Sequence, residues 1–222
     1  PIQRQLYLPR GWGYSSNVTG NGRLYEAVKV DSTTHYNTLQ TLLGNETNAA
    51  NGEIKNGAVF TTLTGTLNTS KNYFAGTLSG LASPTKYTCQ QNFVMLVTDG
   101  LPTGDTSGNL YSAAARTNTC DWSTTNNSCT SGTFGTAATD AINAVTALRT
   151  TAVTNLAITS TNKDGTGAKS GNYDVQTYVV ALGDTVANAG ALSVMNAMAY
   201  NGGTDTALLT TDATAFQNAI TK

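Results

Sequence analysis

Hydrophobic and polar positions alternate between two regimes along this chain. In the first, Phe93-Val94-Met95-Leu96-Val97 is apolar without interruption. A run with no polar member to face water predicts a central strand covered on both faces, as in a parallel sheet wrapped by helices. The steps Asp99-Gly100 and Leu101-Pro102 then end the strand abruptly. Val175 to Leu182 is a second, mostly apolar strand that stops at Gly183-Asp184, and Arg23 to Val30 forms a third strand between Asn21-Gly22 and Asp31-Ser32. A short strand is expected around Ile2 to Leu8, before the turn Pro9-Arg10-Gly11-Trp12-Gly13, and another at Ala207 to Leu209.

The second regime has helical spacing. Tyr36, Leu39, Leu42 and Leu43 share one face behind a Ser32 or Thr33 cap, with Gly44 as the stop. Leu63, Leu67 and Phe74 do the same between Thr61 and Phe74, although so many threonines require a tertiary reason for that helix. Ala138, Ile142, Val145 and Leu148 predict a helix over 137–150 capped by Thr136, and Leu192, Met195 and Met198 predict one stopped by Asn201-Gly202-Gly203. A last helix carries Phe216 and Ile220 behind Asp212. Residues 45–57, 75–88 and 151–172 read as connections, and 104–134 as an insertion rich in Thr, Ser, Asn and Gly. This succession predicts an α/β fold: a doubly wound, mostly parallel sheet with helices on both faces.

Composition narrows the setting. Only 11% of the 222 residues are charged, against about 25% in an ordinary soluble domain. Thr, Asn, Ser and Gly supply the polar surface instead, as in secreted or surface-exposed bacterial proteins. A net charge of -1 gives no field for steering nucleic acid or an anionic membrane, so neither is an expected partner. No apolar stretch reaches the roughly 20 residues of a membrane span. Cys120 and Cys129 flank a polar segment that a local disulfide would close in an oxidising compartment. Cys89 is then left over as a buried thiol or a partner for polypeptide elsewhere, and a Cys89–Cys120 bridge is a third possibility that the sequence does not exclude.

Candidate chemistry centres on Asp99, because ligands of open α/β sheets bind at the carboxyl ends of the strands. An aspartate in that position also serves as an ordinary turn residue. Asp105 could line the same edge, or be a plain loop residue. His35, the single histidine, is expected on the polar side of its helix. No nucleophile and acid converge on it by pattern, no Gly-x-Ser-x-Gly elbow occurs, and Gly165-Thr166-Gly167 lacks the Lys-Ser/Thr ending of a phosphate loop. A secreted α/β hydrolase and a nucleotide-binding protein are accordingly disfavoured.

Taken in order, the strand ending in Thr98-Asp99-Gly100, the strand Tyr178-Val179-Val180-Ala181-Leu182-Gly183 and the helix ending in Met198-Ala199-Tyr200-Asn201-Gly202-Gly203 resemble the von Willebrand factor A domain over most of residues 23–222. A more local run, Thr61-Thr62-Leu63, Tyr73-Phe74, Ser83-Pro84 and Cys89-Gln90-Gln91-Asn92-Phe93, is similar to the A-type domain of PilY-type adhesins at the tips of bacterial type IV pili. The resemblance implies a non-enzymatic, extracellular adhesion and mechanosensing domain. It would support pilus assembly, twitching motility and surface attachment, with minor pilins or other tip components and a host or surface ligand as partners. A generic secreted A-type domain that binds a protein ligand through a metal is the alternative.

The resemblance also implies a metal-ion-dependent adhesion site for Mg²⁺ or another divalent cation. Such sites combine an Asp-x-Ser-x-Ser loop after the first strand, a threonine from a second loop and an aspartate from a third, which suits a hard cation that prefers oxygen ligands. Asp99 matches the third-loop aspartate. Thr61 matches the threonine, with Thr62 as the register alternative and helix capping as the other role for both. No Asp-x-Ser-x-Ser occurs; Asp31-Ser32-Thr33-Thr34 resembles it only superficially and precedes the wrong helix. Either the domain has diverged away from metal, or its first strand and helix lie before Pro1. The second is the expectation here, since residues 23–30 and their helix fit the family's third strand and its follower. The missing amino-terminal part of the domain then becomes a partner of this polypeptide, and residues 1–22 remain a segment of uncertain role beside the domain at 23–222.

Overall fold

The computed structural model describes residues 3–9, 22–30, 33–35, 37–38, 61–78, 80–85, 90–98, 100–150, 152–153, 171–172, 175–183 and 188–210. In chain order the elements begin with strands β1 (Gln3–Pro9) and β2 (Gly22–Val30), helix α1 (Leu63–Phe74), strand β3 (Asn92–Thr98) and the short helix α2 (Ala113–Arg116). Strands β4 (Asp121–Ser123) and β5 (Ser128–Ser131) precede helix α3 (Thr136–Arg149), which is followed by β6 (Ala152–Val153) and β7 (Gly171–Asn172). Strand β8 (Val175–Leu182), helix α4 (Ala189–Asn201) and strand β9 (Leu208–Thr210) complete the described chain. Residues 33–35 and 37–38 are also helical.

The centre is a parallel three-stranded sheet in the order β3-β8-β9. Each crossover carries a helix, α3 between β3 and β8 and α4 between β8 and β9, as parallel neighbours require. Strands β1 and β2 form a separate antiparallel pair that lies against α1. The protein is thus a mixed α/β fold built on a parallel sheet.

One face of that sheet is closed. Leu96, Val175, Val179 and Ala181 join Leu63, Leu67 and Phe74 of α1, Ala138, Ala141, Val145 and Leu148 of α3, and Val194, Met195 and Met198 of α4 in one apolar core. The threonines of α1 do not spoil this packing. Thr66, Thr69 and Ser70 turn their hydroxyls back onto the carbonyls of Thr62, Gly65 and Thr66, at 3.0, 3.0 and 3.1 Å, and so enter the interior already hydrogen-bonded. The tertiary reason a threonine-rich helix needs is the burial of Leu63, Leu67 and Phe74 in that core. Helix α4 stops at Gly202, where an added Cβ would lie 2.9 Å from both the Cβ and the carbonyl oxygen of Thr177. Only glycine allows the Thr177 N–H to reach the Gly202 carbonyl at 2.9 Å.

The other face differs from expectation. Successive strand residues point to opposite sides, so Phe93, Met95 and Val97 face away from the core, and each is about half exposed, at 51, 50 and 44%. Tyr178 of β8 lies beside Phe93 with ring centroids 6.1 Å apart and is also exposed. Among the described residues α1, α3 and α4 all gather on the first face, and β3 has no partner along its other edge. The predicted burial of Phe93 to Val97 on both faces is therefore corrected to burial on one.

Two further expectations change. His35 is buried, at 3% exposure, and does not stand on a polar, solvent-facing side of its helical segment. The cap of α3 is Gly135 rather than Thr136, squeezed between the Ala115 and Thr117 carbonyls, each 2.5 Å from where a Cβ would stand. The insertion at 104–134 is structured. It holds α2 and the β4–β5 hairpin, and Trp122 packs its ring against Phe134 and Tyr200 while its backbone N–H donates to Ser193 Oγ of α4. A Cys120–Cys129 disulfide closes the hairpin, which excludes the Cys89–Cys120 pairing. The predicted helix over 39–44, the loop at 45–57, Cys89 and the final helix after Asp212 lie outside the described residues.

Candidate functional site

Parallel strands bring their carboxyl ends to one edge, and β3 delivers Thr98 there. The Thr98 side chain is buried; its hydroxyl donates to the Gly100 carbonyl at 2.9 Å and accepts from the Gly100 N–H at 3.3 Å. This is a hydroxyl-closed turn of the kind that Ser and Thr make after a strand. Asp99 itself lies outside the described residues, but its neighbours on both sides are fixed.

Thr61 comes to the same place from the amino end of α1. Its Oγ1 lies 3.8 Å from the position of a Cβ built on Gly100. The backbone contacts are reciprocal: the Thr61 N–H donates to Thr103 Oγ1 at 2.8 Å, and the Thr103 and Gly104 N–H groups donate to the Thr61 carbonyl at 2.9 and 3.2 Å. Two residues selected from separate stretches of sequence, Thr61 and the loop that follows Asp99, are thus joined across 42 positions. Thr62 occupies the cap position of α1 without a side-chain cap bond, and its hydroxyl is buried without a hydrogen-bond partner among the described residues, as is that of Thr64. Such atoms are costly to leave unmatched inside a protein.

Asp105 does not share this edge as a free carboxylate. Its Oδ1 accepts from the Ser107 and Asn109 N–H groups, both at 2.8 Å, and its own N–H donates to the Asn109 carbonyl. Those bonds make it the cap of a turn, the plain loop role. The loop ends at Tyr111, whose hydroxyl donates to Asp140 Oδ2 of α3 at 2.7 Å and whose carbonyl accepts from Arg116 Nε at 3.0 Å. Burial first, then the bond to Asp140 and its negative charge, push the phenol up to about 12, with Asp105 adding in the same sense. The Thr64 hydroxyl beside the phenol opposes that shift without meeting hydrogen-bond geometry with it.

Oxygen donors therefore dominate this edge, which is the donor type that Mg²⁺ accepts. Among the described residues no three or more His, Cys, Asp or Glu side chains come together. The hydroxyl of Thr61 is the donor found there, and the carboxylate would have to come from Asp99. The sequence pattern points to Thr61, to Asp99 and to the Thr98 before it, but not to Thr103 or to the pairing of Tyr111 with Asp140. A hydroxyl directly before Asp-Gly was a usable signal for Thr98; a tyrosine and an aspartate 29 residues apart carried none.

No helix among the described residues is long and apolar enough to cross a membrane. Comparison of the chain with protein-family models, with curated proteins and with solved structures returned no match.

Proposed function

We propose that the chain is a von Willebrand factor A-type domain of a type IV pilus tip-associated protein, an extracellular adhesion and mechanosensing domain without enzymatic activity. The observation that carries this reading is the meeting of Thr61 with the loop after Asp99 at the carboxyl edge of a parallel sheet. Three separate features agree with it. The Thr-Asp-Gly strand, the second apolar strand and the short last strand are neighbours in one parallel sheet. The insertion is held by a disulfide, which belongs to oxidising compartments. The surface is polar with few charges.

In this reading the Thr61 hydroxyl and the Asp99 carboxylate are two of the ligands of a Mg²⁺ or similar divalent ion. One coordination position stays open for a carboxylate of the adhesive partner, because hydroxyls and few carboxylates leave the hard cation unsaturated. Minor pilins are the expected assembly partners, and a host or surface ligand the adhesive one.

Two measurements test this. Calorimetric titration with Mg²⁺ should give binding that Asp99→Ala abolishes and Thr61→Val weakens; heat unchanged by either substitution would remove both residues from the site. Co-purification from a piliated bacterium should recover minor pilins. Metal binding without pilins would leave a generic secreted A-type domain, and hydrolytic activity lost on a single Ser or His substitution would sink the non-enzymatic reading altogether.

A further inference from the structure

The loop from Thr103 to Tyr111 is closed on itself and tied down at both ends. Inside it, Gly104 and Leu110 form an antiparallel bridge, and Asp105 fills the turn with bonds to Ser107 and Asn109. At one end Thr103 holds Thr61 through side chain and backbone together. At the other, Tyr111 is held by Asp140 through its hydroxyl and by Arg116 through its carbonyl. The ends also touch: the Tyr111 N–H donates to the Thr103 carbonyl at 2.9 Å. An unbroken path of hydrogen bonds therefore runs from Asp140 on α3, through Tyr111 and Thr103, to Thr61 at the entrance of α1.

We infer that Tyr111 and Asp140 are positioning residues that hold Thr61 in place through Thr103, so that the loop acts as a strut between helix α3 and the strand-end edge. Thr61 precedes α1 and has none of that helix's own hydrogen bonds to fix it. Its N–H and carbonyl are instead spent on Thr103 and Gly104, and Thr103 is only as fixed as the loop that carries it. A bond from a phenol to a carboxylate is among the stronger kinds, because its acceptor is charged. It anchors that loop to a helix whose Ala141, Val145 and Leu148 are in the core. Tyr111 and Asp140 touch no ligand in this scheme; they set where the Thr61 hydroxyl stands. The consequence for metal affinity rests on the reading of Thr61 as a ligand, whereas the strut itself does not.

Hydrogen exchange of the metal-free chain decides the strut. Tyr111→Phe and Asp140→Ala should speed exchange at the amides of Thr61, Thr103 and Gly104 by at least about 10-fold, the low end of what one bond to a charged group is worth. Amides of β8 and α4 should stay as they were. Asp140→Asn keeps an acceptor oxygen and should restore most of the protection, which also separates loss of the bond from failure to fold. Exchange at the three amides within about 2-fold of wild type in Tyr111→Phe, too little for one lost bond, would overturn the inference. Mn²⁺ titration of the same proteins reads the second step. A weakening of about 3- to 10-fold in Tyr111→Phe, with Asp140→Asn closer to wild type, supports positioning of the ligand. Equal Mn²⁺ affinity in Tyr111→Phe and wild type would overturn it. If wild type takes no Mn²⁺ while exchange responds as expected, the metal reading of Thr61 falls and the strut stands.

Discussion

Leu96 and Met95 are chain neighbours on the same strand, yet they belong to different environments. Leu96 is packed beneath three helices, whereas Met95 faces out from the same sheet and is half exposed. Nothing in the residues themselves separates them, since both are large, flexible and apolar. The difference comes from where α1, α3 and α4 settle, and all three take one side. A strand that is apolar throughout is thus a statement about what each side chain tolerates, while burial is decided by the elements that arrive.

The sharpest way to break this contrast is Leu96→Ala. Removing a side chain from a core with helices already interlocked leaves a cavity, and the expected loss is about 2–5 kcal/mol in denaturant unfolding. A loss below about 1 kcal/mol, the range of a surface change, would mean that the helix side is not the closed one. Removing the disulfide with Cys120→Ala and Cys129→Ala comes next. The bridge spans 9 positions and closes a hairpin that leans on α4 through Trp122. Loop-closure entropy predicts a cost of about 2–3 kcal/mol. Were the hairpin ornamental to the closed side, Trp122 fluorescence would change on reduction without any shift in the unfolding midpoint.

A third effect is smaller and depends on pH. The Tyr111 phenol ionises at about 12 in the folded protein, against 10.0 for an ordinary tyrosine. The unfolded chain therefore loses this proton first. The stabilisation is whole below pH 10 and drains away as pH rises towards 12. Because the group is only partly buried, solvent screening reduces the expected contribution to about 1 kcal/mol. Unfolding midpoints from about pH 9 to about pH 11, the range in which free phenols begin to ionise, should fall more steeply for wild type than for Tyr111→Phe. Parallel slopes would place Tyr111 outside the polar path to Asp140.

Much of the closed side could be read from periodicity. Leu63, Leu67 and Phe74, then Val145 and Leu148, then Met195 and Met198 recur at helical spacing, and all lie in the core. The strands at 92–98 and 175–182 were equally plain, because an apolar run bounded by turn residues has few other uses. What escaped depends on distant partners. His35 is polar by type but buried by its surroundings. Thr136 is a better cap by type than Gly135, yet the Ala115 and Thr117 carbonyls leave no room there for a side chain. At the candidate site, Thr61 was found through resemblance to a family pattern, whereas its tie to Thr103 follows from loop geometry that no spacing rule encodes. Asp105 is compatible by sequence with a site carboxylate and with a plain loop residue, and the N–H groups of Ser107 and Asn109 that occupy it decide for the second.

The smallest expected effect is the most telling for the open side. Met95→Gln keeps the length and flexibility of the side chain and replaces the thioether end by an amide. On the exposed face of β3 that amide meets water, and the change in stability should stay within about 0.5 kcal/mol. In a covered site the same amide would lose its hydration without gaining a partner, at a cost of about 1–3 kcal/mol. The two outcomes are far enough apart for ordinary urea titration. Phe93→Gln tests the same face with a second residue, and the loss of its contact with Tyr178 should add no more than about 1 kcal/mol, the usual worth of an aromatic pair. Costs of 2 kcal/mol or more at both positions, in the range of buried polar mismatches, would show the open face to be occupied in solution, and the difference between Leu96 and Met95 would vanish.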